Sequence, residues 1–105
     1  MPAAKPGDIW RVDLGMAAKV RPCLILTGQP RSDELDVFTI VAHTPSLRGN
    51  HWEISVPKSF LKDEGAFDVQ RIATVASVKL ERKLGELTSA EMGKILDLLA
   101  ERLGI

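Results

Sequence analysis

The spacing of apolar residues along this chain changes character near the end, and that change divides it into a β-rich body and a terminal helix. Ile9 to Leu14 and Pro22 to Thr27 are dense in β-branched and aliphatic residues. They predict two strands joined by the small-residue loop Gly15-Met16-Ala17-Ala18-Lys19. A polar turn over 28–34 precedes a third apolar run, Val37 to Ala42. The loop from His43 to Asn50 then leads into Trp52-Glu53-Ile54-Ser55-Val56, where the period of two is clean. Pro57 to Lys62 predicts one helical turn, and Phe67 to Val75 resumes the strand pattern.

Beyond residue 87 the period lengthens. Met92, Ile95, Leu96, Leu99 and Leu103 recur at helical spacing, which predicts a core-facing stripe. Thr88 with Glu91 three residues on has the spacing of a capping box, and Gly104 is placed to stop the helix. The stripe needs a surface to cover, and the sheet supplies it. The expected fold is mainly β with a C-terminal α-helix: a small, partly closed antiparallel barrel forming one domain over residues 1–105.

Composition narrows the function classes. Charged residues make up 27% and hydrophobic residues 45%, an ordinary globular balance. Fourteen Lys and Arg offset fourteen Asp and Glu, so the formal net charge is zero. A generic coater of duplex DNA is strongly basic, because its affinity comes largely from counterion release. Neutrality disfavours that class and leaves room for a locally positive groove. No apolar run approaches the ~20 residues that span a bilayer. The N-terminus has no hydrophobic leader, and a single cysteine, Cys23, lies in an apolar strand. The expectation is a cytoplasmic protein with no cofactor and no metal.

The residue with the most chemical promise is Arg21, at the mouth of the run Cys23-Leu24-Ile25-Leu26. A strand anchored in the core fixes its Cα, and the guanidinium offers a permanently charged fork of donors suited to phosphate. The plain alternative is a strand-end salt bridge. Thr44, before Pro45, reads from the residues alone as a strand-to-turn threonine, common there for backbone reasons.

These stretches resemble the MazF/PemK family of toxin–antitoxin ribonucleases. The resemblance rests on Gly7 to Leu14, on Val20-Arg21-Pro22-Cys23-Leu24-Ile25-Leu26-Thr27, and on Thr39 to Thr44. It continues through Gln70 to Leu87 and the terminal helix. It implies an SH3-like barrel of the MazF/PemK/CcdB type that forms a homodimer. It also implies metal-independent, sequence-specific cleavage of single-stranded mRNA, held in check by a cognate antitoxin. Arg21 and Thr44 match the family's catalytic arginine and threonine. His43, Ser46, Arg48, His51, Gln70 and Arg71 are the candidate substrate contacts; each also has a structural reading as a loop, strand or core-edge residue.

Three departures matter. The loop from Gly15 to Val20 is shorter than is usual in the family and lacks its acidic and polar residues. Thr44-Pro45-Ser46 stands where the family often has a Thr-Ser pair. In the last strand, Gln70 occupies the family's acidic position and Ala73 its arginine position, with Arg71 two residues away. Two other readings therefore stay open: a non-catalytic gyrase poison of the CcdB type, and a family member that binds antitoxin or RNA without cutting.

Overall fold

Two apolar clusters, one on each face of a sheet, account for the strand pattern. The computed structural model describes residues 3–15, 19–61 and 65–105. The strands are β1 (Asp8–Asp13), β2 (Val20–Ile25), β3 (Val37–Thr44), β4 (Glu53–Ile54), β5 (Ala66–Ala76) and β6 (Leu80–Glu86). They form one six-stranded sheet in the order β4-β5-β3-β2-β1-β6, and every pairing is antiparallel. Helix α1 (Ser89–Leu103) closes the chain. Residues 16–18 of the shortened first loop lie outside the described residues.

Alternation along the strands sorts side chains between the faces. Ile9, Leu24, Val41, Phe67 and Val69 point to one face, where Ile95 and Leu99 of α1 cover them. Val12, Cys23, Ile25, Ile40 and Ala42 point to the other, joined by Ala4, Phe38 and Leu80. β4 and β6 are the ends of the sheet and do not pair with each other among the described residues, so the expected barrel stays open there.

The capping box is present. Thr88 accepts a hydrogen bond from the Glu91 amide at 3.2 Å, and Glu91 accepts one from the Thr88 amide at 2.8 Å. Gly104 ends the helix in the left-handed region at φ 74°, which glycine adopts without a Cβ penalty. Thr88→Ala is expected to cost about 1 kcal/mol of stability, read as a fall in the urea midpoint.

Three expectations fail for local physical reasons. The fourth strand shrinks to Glu53–Ile54. The stretch 57–61 forms a tight turn, Leu61 N donating to Lys58 O at 3.0 Å, and no helix; Lys62 lies outside the described residues. Val56 and Leu61 are both drawn into the core, and five-residue spacing would send them to nearly opposite sides of a helix. Along α1, Leu96 and Leu103 are 44% and 52% exposed, because the seam against the sheet runs through Met92, Ile95, Leu98 and Leu99. Conversely, Leu80–Glu86 is a strand whose run of Glu81, Arg82 and Lys83 gives little β signal. Charges of that kind blunt an open sheet edge.

Candidate active site

The site originates where two neighbouring strands part. β2 and β3 pair only from Cys23↔Ala42 to Ile25↔Ile40. Pro22 lies just past that ladder, where its missing N–H leaves no gap against β3, and it pairs only with Arg11 of β1. Had the ladder continued, Arg21 would stand directly opposite Thr44. On its other edge Thr44 pairs with Ala66 of β5, while the edge toward β2 is left without a ladder partner among the described residues. The opening left between β2 and β3 is a cavity of about 130 Å³, lined by Leu14, Arg21, Ala42, His43, Thr44, Ser46 and Arg71.

Each polar group around this cavity has a defined state. Among the described residues no carboxylate pairs with Arg21, so the salt-bridge reading finds no partner there. Thr44 is 4% exposed, and its Oγ1 accepts from the Ser46 amide at 3.1 Å. With that acceptor position used by the backbone, the hydroxyl proton is left to donate. Arg71 reaches the same cavity from β5, where its Nε forms an ion-pair contact with Asp68 Oδ2 at 3.4 Å. Beneath Arg21, burial pushes the Cys23 thiol up to about 12, with the guanidinium opposing, so this thiol is inert at neutral pH.

His43 shares the cavity wall, yet its ring lies across the sheet. Its register partner is Phe67, which belongs to the helix-covered core, and the two rings meet edge-on at 5.0 Å. A Cβ on Gly65 would fall 2.1 Å from His43 Cε1, so glycine is required there for the ring to fit. Burial lowers the His43 pKa below its usual 6.5 and favours the neutral form. Below pH 6.5 the unfolded chain takes up this proton more readily than the folded one. The stability contribution is therefore whole above 6.5 and is lost as pH falls from there toward the depressed folded value. Wild type should lose more stability than His43→Gln between pH 7.5 and 5, read as urea midpoints.

The remaining candidates lie further out. The loop carrying Arg48 is pinned by Glu53, whose carboxylate accepts from the amides of Arg48, Gly49 and Asn50 at 2.9, 2.8 and 3.3 Å. Those N–H groups, with the Arg48 charge, lower the Glu53 pKa. Asn50 Nδ2 donates to Gln70 Oε1 at 3.2 Å, which ties the loop to β5. Neither Arg48 nor Gln70 lines the cavity. His51 stands apart: its Nε2 meets Glu101 of α1 at 2.5 Å, and Arg102 lies 5.4 Å above the neighbouring Trp52 ring. A groove of about 460 Å³ beside His51 is bordered by Lys94, Asp97 and Glu101, so charges of both signs face it.

The PemK-like, MazF-like toxins of type II toxin–antitoxin systems match this chain over residues 5–103. A mycobacterial endoribonuclease solved with its cognate antitoxin is similar at 30% identity and a TM-score of 0.80, covering 98% of this chain and 97% of that one. Another mycobacterial endoribonuclease is similar at 29% identity and a TM-score of 0.78, over 100% and 95% of the two chains. MazF from Deinococcus radiodurans shares the fold, with a TM-score of 0.80 at 15% identity over 100% of both chains. No curated protein sequence matches significantly.

Proposed function

The chain belongs to the PemK-like, MazF-like toxins of type II toxin–antitoxin systems, and we propose that it cuts single-stranded RNA at the opening between β2 and β3. The observation that carries this reading is that a guanidinium with no carboxylate partner among the described residues and a donor-ready hydroxyl line one cleft. RNA brings its own nucleophile. Its 2′-oxygen forms a bond to phosphorus as the bond to the 5′-oxygen breaks, leaving a cyclic phosphate and a free 5′-OH. The 2′-OH gives its proton to water and the departing oxygen takes one from water, so the protons balance through solvent.

Negative charge grows on the phosphate oxygens as the fifth bond forms. Arg21, with Arg71 beside it, meets that charge with fixed donors that need no reorganisation. Thr44 donates to a non-bridging oxygen, and Arg21 also offers an N–H to the departing oxygen. These groups supply the electrostatic stabilisation without calling on a metal ion. Ser46 lines the same cavity, while Arg48 on the Glu53-tethered loop and Gln70 on β5 lie further out, where a flanking phosphate would pass. His43 and His51 take no part in this reading, the first turned into the core and the second held by α1.

Thr44→Val removes one hydrogen bond to a charged oxygen and should slow cleavage about ten- to a hundredfold, while Thr44→Ser keeps most of the rate. Single-turnover cleavage of a labelled RNA measures both.

The substrate places this activity in the cytoplasm. The inhibitor is a cognate antitoxin, as for the mycobacterial endoribonuclease solved with one, and the exposed Leu96, Leu103 and Ile105 favour association of two copies. The experiment is incubation with long single-stranded RNA in EDTA beside a gyrase supercoiling assay. Discrete cuts support the proposal. Intact RNA with blocked gyrase would support the CcdB-like reading, and no effect in either assay a binding module that does not cut.

A further inference from the structure

The register of β5 contains an irregularity that brings together a buried acid and an exposed base. Val41 pairs with Ile72, yet the next pair is His43 with Phe67. Between these pairs β3 has one residue, Ala42, while β5 has four, 68–71. A regular strand sends residues three apart to opposite faces. This wide bulge instead returns Asp68 and Arg71 to the same face, the one that carries Arg21 and Thr44.

The partners are unequal. The Asp68 side chain is 6% exposed and that of Arg71 is 47% exposed. Asp68 Oδ1 accepts from the Gln70 amide at 2.9 Å, so the backbone of the bulge holds the carboxylate. Its Oδ2 takes Arg71 Nε at 3.4 Å. A buried carboxylate is tolerated only with such compensation. The consequence for Arg71 is geometric: the carboxylate held by the bulge stands in ion-pair contact with the Nε side of the planar guanidinium and draws the head group toward this face. Its four terminal N–H donors have no carboxylate partner among the described residues. Arg71 also borders a second cavity of about 400 Å³ running along Ile72 to Val75, so it stands between the phosphate site and that groove.

We infer that Asp68 is a positioning residue, which holds Arg71 through Nε so that a second guanidinium meets the scissile phosphate beside Arg21. The inference rests on the nuclease reading for its phosphate. It assigns to Asp68 a role that depends wholly on Arg71, and that dependence is what can be measured.

The test is a double-mutant cycle on single-turnover RNA cleavage with Asp68→Asn, Arg71→Ala and the pair, joined by the Nε–H proton exchange of Arg71 in nuclear magnetic resonance. Asp68→Asn should slow cleavage about tenfold and Arg71→Ala about ten- to a hundredfold. The double variant should cut no more slowly than Arg71→Ala alone. The Arg71 Nε–H signal, identified by its loss in Arg71→Ala, should be protected from exchange in wild type and lose that protection in Asp68→Asn. Urea midpoints establish that each variant is folded; should Asp68→Asn not fold, Asp68→Glu takes its place. Equal slowing by Asp68→Asn with and without Arg71 would overturn the inference, as would a cleavage rate that Asp68→Asn leaves unchanged. So would an Nε–H indifferent to Asp68. If wild type leaves RNA intact, the nuclease reading fails, and the exchange measurement still decides whether Asp68 holds Arg71.

Discussion

Arg21→Ala should leave a folded protein that cuts RNA about a hundred- to a thousandfold more slowly, a loss of roughly 2.7–4 kcal/mol of transition-state stabilisation. The size follows from where the charge sits. Arg21 emerges from β2 just beyond its ladder with β3, so its backbone is fixed by β1 while its head group keeps no carboxylate partner among the described residues. A guanidinium without an internal partner has its donors available when the phosphate acquires charge. Arg21→Lys should recover only part of the rate, because an ammonium is a point charge without the planar fork. Stability should change little, since no core contact is lost. Single-turnover rates on one RNA, beside urea midpoints, separate the two effects.

Phe67→Ala is expected to act in the opposite sense, through the fold. Phe67 is fully buried between β3 and β4, pairs with His43 and Ile54, and receives the edge of the His43 ring. Truncating a buried phenylalanine costs about 3–5 kcal/mol, from lost transfer energy and the cavity left behind. Against a total stability of about 5–15 kcal/mol for a domain, that is a large fraction. The urea midpoint should fall by about 1–3 M. Leu35→Ala, at a side chain 80% exposed, should stay within about 0.5 kcal/mol and serves as the control. Since Phe67 adjoins Asp68, cleavage should also weaken, but only in proportion to the folded fraction plus any shift of the bulge.

The parts of this molecule that could be read from the chain are those fixed by local rules. Thr88, Glu91 and Gly104 announce both ends of α1 because caps satisfy orphan backbone groups by fixed spacings. Strands β1 to β3 are legible because their apolar residues are uninterrupted. Arg21 and Thr44 could be named through the family resemblance, and the residue sum that would pair them across β2 and β3 is visible only once the register is known.

What stayed hidden depends on pairing between distant segments. β6 reads as a charged stretch because an edge strand at the rim of a sheet has little to bury. Counting by twos through β5 fails at the bulge, so Arg71 reads as displaced from the arginine position when in fact it reaches the cavity. Asp68 likewise reads as shifted from the family's acidic position, and only the bulge delivers it beside Arg71. His43 adjoins Thr44 in the chain and still sends its ring to the other face, which strict alternation along β3 requires. His51 was grouped with the cleft by its place in the loop, whereas Glu101 of α1 holds it elsewhere.

Removing the nucleophile itself is the sharpest trial of whether the cleft between β2 and β3 acts by presenting the RNA's own hydroxyl to a phosphate clamped by Arg21. Once the cut is mapped in EDTA, an RNA with a single 2′-deoxy nucleotide on the 5′ side of that bond should still bind and should not be cleaved there. The unmodified strand should yield a cyclic phosphate and a 5′-OH end, both forming about a hundred- to a thousandfold more slowly with Arg21→Ala. Continued cutting at the deoxy position, or products ending in 5′-phosphate, would contradict the account.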